Sequence, residues 1–72
     1  MFWIYENWQA GPHKAIIHRS ECGFCNHGSG VRGGTDPSHG RWHGPYETLD
    51  EAENFSLTLQ DVLVRTNCRH CL

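Results

Sequence analysis

Cys22-Gly23-Phe24-Cys25 and Cys68-Arg69-His70-Cys71 hold every cysteine of this chain, and both have the C-x2-C form. Two cysteines at this spacing wrap a tight turn so that both sulfurs face one ion. The chain has only 72 residues. A domain of that size buries a thin core and commonly needs a metal, a disulfide or a partner to be stable. In a reducing compartment thiols stay free, and matched cysteine pairs read as metal ligands before they read as disulfides. The expectation is therefore one Zn2+ held by Cys22, Cys25, Cys68 and Cys71, with the chain, residues 1–72, as a single zinc-binding domain. Four thiolates also suit iron, and redox-active C-x2-C pairs are the competing reading.

His18 opens a second ligand set. It precedes Cys22 with three residues between, and H-x3-C is also a ligand spacing. The alternative is His18, Cys22, Cys68 and Cys71, with His18 in place of Cys25. Cys22, Cys68 and Cys71 belong to both sets.

Outward from the cysteines, local patterns give an element order of β-β-loop-β-α-(β). Phe2-Trp3-Ile4-Tyr5 is aromatic and β-branched, as strands prefer. Alternation puts Phe2 and Ile4 on one face, Trp3 and Tyr5 on the other. A turn at Gln9-Ala10-Gly11-Pro12 leads to Lys14–Arg19, read as the second strand of an antiparallel hairpin. Residues 27–40, HGSGVRGGTDPSHG, carry five glycines and a proline without apolar periodicity and read as a long loop. Loops of this length are uncommon in small domains and often functional. Arg41-Trp42-His43 reads as a short strand stopped by Gly44-Pro45. Thr48 to Glu51 is a capping box, and Leu49, Ala52, Phe55 and Leu59 follow at helical spacing, predicting a helix from Leu49 to about Gln60. Val62 and Val64 suggest a last short strand. The expected fold is α+β, a zinc-ribbon-like domain with a short antiparallel sheet and one helix.

Charge and composition narrow the function classes. The formal net charge is −2, and four zinc-bound thiolates would bring it to about −4. That is not the footprint of a general nucleic-acid binder. The charge is uneven, however: Lys14, Arg19, Arg32 and Arg41 gather before residue 44, whereas five acids follow it. No stretch is apolar enough to span a bilayer, and MFWIYENW lacks the features of a signal peptide. The expected location is cytoplasmic, and the expected state is a monomer.

His18-Arg19-Ser20-Glu21-Cys22, Tyr46-Glu47-Thr48-Leu49-Asp50-Glu51-Ala52 and Cys68-Arg69-His70-Cys71 together resemble the small zinc domain of the adaptive-response DNA methyl-repair proteins. The chain also looks similar to short bacterial zinc-binding proteins. That family shows an (H)-x3-C element, an aromatic-x-S/T-x-x-E-A helix start and a final C-x2-C. The resemblance implies a small sheet with one or two helices around zinc, sometimes touching DNA phosphates. This chain departs from it by adding Cys25 and by inserting the Gly/His loop. Methyl transfer is not carried over, because it needs a basic phosphate site that the net charge argues against.

With four protein ligands the zinc has no open position. No catalytic residue is expected, and the histidines His27, His39 and His43 have nothing in the sequence that fixes them together. The function expected is a structural-zinc module that contacts protein or nucleic acid through residues 27–43, with Arg32, Arg41, Trp42 and His43 as binding residues. Trp42 is read first as core and second as a stacking surface. The competing class is a thiol/redox protein or enzyme using the C-x2-C pairs directly.

Overall fold

The structure, a computed structural model, describes residues 1–9, 12–25, 27–28 and 38–72. The elements are β1 (Phe2–Asn7), β2 (Lys14–Arg19), β3 (Gly40–Tyr46), α1 (Leu49–Ser56) and β4 (Val64–Asn67). One helix and one four-stranded sheet make an α+β fold. The sheet order is β3-β1-β2-β4. The two predicted strands at the start form an antiparallel pair, with Ile4 opposite Ile17 and Trp3 opposite His18. The turn expected at residues 9–12 falls partly on Ala10 and Gly11, outside the described residues.

Strand alternation gives the sheet two apolar faces. Ile4, Ala15 and Ile17 point to the helix and form a core with Ala52 and Val62, closed by Phe2, Tyr46, Leu49, Phe55 and Leu59. Trp3, Ile16 and Trp42 point the other way and pack against Cys22, Cys25 and Cys68. Helix, sheet and cysteine turns are thus three layers built on one sheet.

Three expectations change. The sheet is mixed rather than antiparallel, because β4 runs parallel to β2, with Ala15 opposite Arg65 and Ile17 opposite Asn67. The chain reaches it by crossing the sheet through α1, the kind of connection that parallel entry needs. β3 is longer than Arg41–His43. It runs on through Gly44 and Pro45 to Tyr46, with its register against β1 shifting between Phe2 and Ile4. The helix ends at Ser56, four residues before Gln60. Beyond it, tighter bonds replace helical ones: the Thr58 N–H donates to the Phe55 carbonyl and the Leu59 N–H to the Ser56 carbonyl. The guanidinium of Arg65 then donates to the carbonyls of Ser56 and Leu59, each at 2.8 Å, and of Val62 at 3.3 Å. A cation brought from β4 satisfies carbonyls that the helix leaves open. At the other end, Thr48 Oγ1 accepts from the Glu51 N–H at 3.1 Å, as the capping box predicts.

Among the described residues Glu6 is the one buried carboxylate, 9% exposed. His43 Nε2 donates to its Oε1 at 2.8 Å and His13 Nε2 to its Oε2 at 2.9 Å. Burial opposes the charge, but the bonds from His43 and His13 outweigh it and hold the carboxyl below the usual range. A depressed folded-state pKa adds stability above the unfolded value of about 4.3, lost as pH falls through the lower folded value. Glu6→Gln is therefore expected to cost about 1–3 kcal/mol in urea unfolding at pH 7, with the deficit shrinking only below about pH 4.3. Thr48→Ala is expected to cost about 1 kcal/mol in the same measurement.

Candidate metal centre

The ligand atoms of His18, Cys22, Cys68 and Cys71 all lie within 4.8 Å of one another. Each arrives by a separate local device. His18 sits near the end of β2, on the face away from the helix, because it is one strand position removed from Ile17. Cys22 follows in the turn after β2, where its N–H donates to the Arg19 carbonyl at 3.0 Å and its carbonyl accepts from Cys25 at 2.9 Å. Cys68 leaves β4 with its N–H on the Ile17 carbonyl at 2.8 Å. Cys71 lies one turn on, closed by the Leu72 N–H on the Cys68 carbonyl. The parallel pairing of β4 with β2 thus carries the second C-x2-C to the first.

Cys22 Sγ lies 3.9 Å from Cys68 Sγ and 3.8 Å from His18 Nδ1. All four cysteines are free thiols. Cys25 lies outside the four-residue group. It is fully buried beside Cys22 and Cys68. Its thiol is pushed up by burial, against backbone N–H bonds from Gly28 and His27. Of the two ligand sets read from the sequence, the structure gathers the one with His18.

The electrostatics suit a cation. Burial pushes the His18 pKa down, so the imidazole is neutral, the form that binds a metal. Burial alone would raise Cys22, but bonds donated by the Phe24 backbone, by the Cys71 and Cys68 thiols and by the Cys25 backbone bring it down. Cys71 is pushed up to about 12, by burial and by its neighbours Cys22 and Cys68, against the Arg19 N–H that reaches its sulfur at 3.3 Å. Three thiolates this close repel one another, and a divalent cation among them removes the repulsion.

The wall over the site is aromatic. The Trp42 ring stands 5.3 Å from the His18 ring and 4.8 Å from that of Tyr5. Trp3 is held between Gly28 and Gly44. A Cβ on Gly28, which has φ of +86°, would stand 2.7 Å from the Trp3 ring, so only glycine fits there.

The predicted binding residues fare differently. Trp42 packs on the metal side of the sheet, and His43 is bonded to Glu6 on the helix side. Arg41 is exposed, opposite Glu6 in the ladder and so on the other face from Trp42. Arg32, with most of the 27–40 loop, lies outside the described residues. The sequence reading did not single out Glu6 or His13. Glu6 interrupts an apolar alternation as a buried-face position of β1, and that was the only signal.

No protein-family model, curated protein or solved structure matches this chain.

The ligand geometry separates the cysteines. Cys25→Ser is expected to keep one metal per chain. His18→Ala and Cys68→Ser are each expected to weaken metal affinity by more than about 100-fold, beyond the loss caused by removing an outer partner of a ligand. Competition with a chromophoric chelator measures all three.

Proposed function

We propose that this chain is a small binding module whose fold is held by one structural Zn2+ on His18, Cys22, Cys68 and Cys71. The convergence of these four side chains carries the reading. Thiolate and imidazole are the donors that zinc prefers in closed tetrahedral sites. With Zn–S near 2.3 Å and Zn–N near 2.0 Å, tetrahedral edges are about 3.8 Å for S···S and about 3.5 Å for S···N. The Cys22–Cys68 and Cys22–His18 separations of 3.9 and 3.8 Å fit those edges. The H-x3-C and final C-x2-C elements, on which the resemblance to the methyl-repair zinc domains rests, contain all four of these ligands.

Four protein ligands leave no position for water or substrate, which favours a scaffold over zinc hydrolysis. A redox role for the Cys22–Cys25 pair is disfavoured by the burial of Cys25 and by the use of Cys22 in the cluster. As a scaffold, the module would engage a protein or nucleic-acid partner through the 27–43 segment in a cytoplasmic setting, with Arg41 exposed among the described residues.

Metal analysis is expected to give one zinc per chain. Cadmium-113 NMR of the substituted protein is expected to report three sulfurs and one nitrogen; a four-sulfur signal would reject the ligand set. Chelation is expected to unfold the chain, since structural zinc contributes on the order of 10–16 kcal/mol in small metallo-domains. A folded, metal-free protein with a reversible Cys22–Cys25 disulfide would favour the redox reading. Titration of labelled protein with single- and double-stranded DNA at low salt tests the nucleic-acid partner through the Arg41 amide and its neighbours.

A further inference from the structure

The two edges of the sheet are built differently. Edge strands offer unpaired backbone groups, and proteins usually guard them with proline, bulges or charge. β3 carries Pro45, which has no N–H to offer, and a register shift. β4 has neither, and all four of its residues are exposed. Its one charged side chain, Arg65, is turned inward onto the carbonyls of Ser56, Leu59 and Val62.

The direction of the open backbone groups follows from the ladder. Val64 donates to the His13 carbonyl at 3.3 Å and Cys68 to the Ile17 carbonyl at 2.8 Å. Alternate residues of a strand turn their backbone groups to opposite sides. Residues 64, 66 and 68 therefore face β2, and Arg65 and Asn67 present theirs to the open edge.

That spacing is self-complementary. We propose that β4 pairs antiparallel with β4 of a second copy of this chain, about a two-fold axis at Thr66. Arg65 of one copy then exchanges both backbone bonds with Asn67 of the other, and the reverse, giving four bonds. Thr66 meets Thr66 as the non-hydrogen-bonded pair, where side chains lie closest. Residues directly opposite point to the same face, so both threonines lie on the metal side.

The flanking surface agrees with this register. On the metal side, a cleft of about 500 Å³ runs beside β4, lined by Phe24, Val64, Thr66, Arg69 and His70. Phe24 is 47% exposed, and its ring meets that of His70 at 4.7 Å. Antiparallel pairing sends Val64 of one copy toward this Phe24 end of the other. Leu63, 76% exposed, precedes it. A four-residue pairing with these side chains buries less than the roughly 1,200 Å² of a standard interface. The dimer is therefore weak, and dilute protein is monomeric.

Sedimentation velocity of the zinc-loaded protein from about 10 μM to about 1 mM tests this, with a nitrogen-15 spectrum and metal content confirming that each variant is folded. Reversible dimerisation is expected, with concentration-dependent shifts confined to residues 63–70 and Phe24. Thr66→Lys and Thr66→Glu are each expected to weaken association at least tenfold, since like charges then face each other across the axis. An equimolar mixture of the two variants is expected to restore it. A chain that stays monomeric at 1 mM, or a dimer indifferent to both substitutions, overturns the proposal. So does failure of the mixture to recover. None of these outcomes depends on which ligands hold the zinc.

Discussion

The parallel contact of β4 with β2 is the constraint on which the rest depends. It places Cys68 against Ile17, next to His18, and so brings the C-terminal cysteines to the turn that holds Cys22. It also delivers Arg65 to the end of the helix. One strand of four residues thereby completes both the metal cluster on one face and the helix cap on the other. The strand has little apolar burial of its own, since all four residues are exposed. Its place is held by what it carries at its ends: Val62 in the core before it and Cys68 in the cluster after it.

The two faces of the sheet divide the work. The helix face is an ordinary aliphatic core, with Glu6 as a buried charge whose two oxygens are both occupied by imidazoles. A buried carboxylate without such partners would be costly, and the two histidines come from distant places, His13 from the connection before β2 and His43 from β3. The metal face is aromatic and sulfur-rich. With three thiolates and one imidazole around a divalent cation, the proposed centre would carry a formal charge of about −1 rather than the −2 of a four-thiolate site. The Arg19 N–H on Cys71, with the Phe24 and Cys25 backbone on Cys22, are the polar donors that face that charge.

What could be read from the residues was what local rules control. Alternation in Phe2–Tyr5 assigned the faces of β1, the Thr48–Glu51 box located the helix start, and the spacings around Cys22 and Cys71 contained the gathered ligand set. The choice between His18 and Cys25 was not legible, because it depends on where strand β2 ends and on which sulfur the Gly28 and His27 amides take up. The helix end was misread for a similar reason: Leu59 keeps the helical spacing, but its carbonyl is claimed by Arg65 from a distant strand. The parallel entry of β4, the 37-residue reach from His43 to Glu6 and the separation of Arg41 from Trp42 by strand parity are all consequences of pairing between segments far apart in the chain.

The spread of the ligands along the chain also sets the order in which the centre closes. His18, near the end of β2, and Cys22, in the turn after it, are only four positions apart, so closing that half of the site costs little chain entropy. Cys68 lies 46 positions beyond Cys22, and closing a loop of that length costs on the order of 3 kcal/mol in chain entropy. That cost falls on the second half of the site alone. If the proposed site holds its cation, a cation seated first on His18 and Cys22 would make the return of β4 an intramolecular capture, and folding rate as well as stability would then depend on free metal.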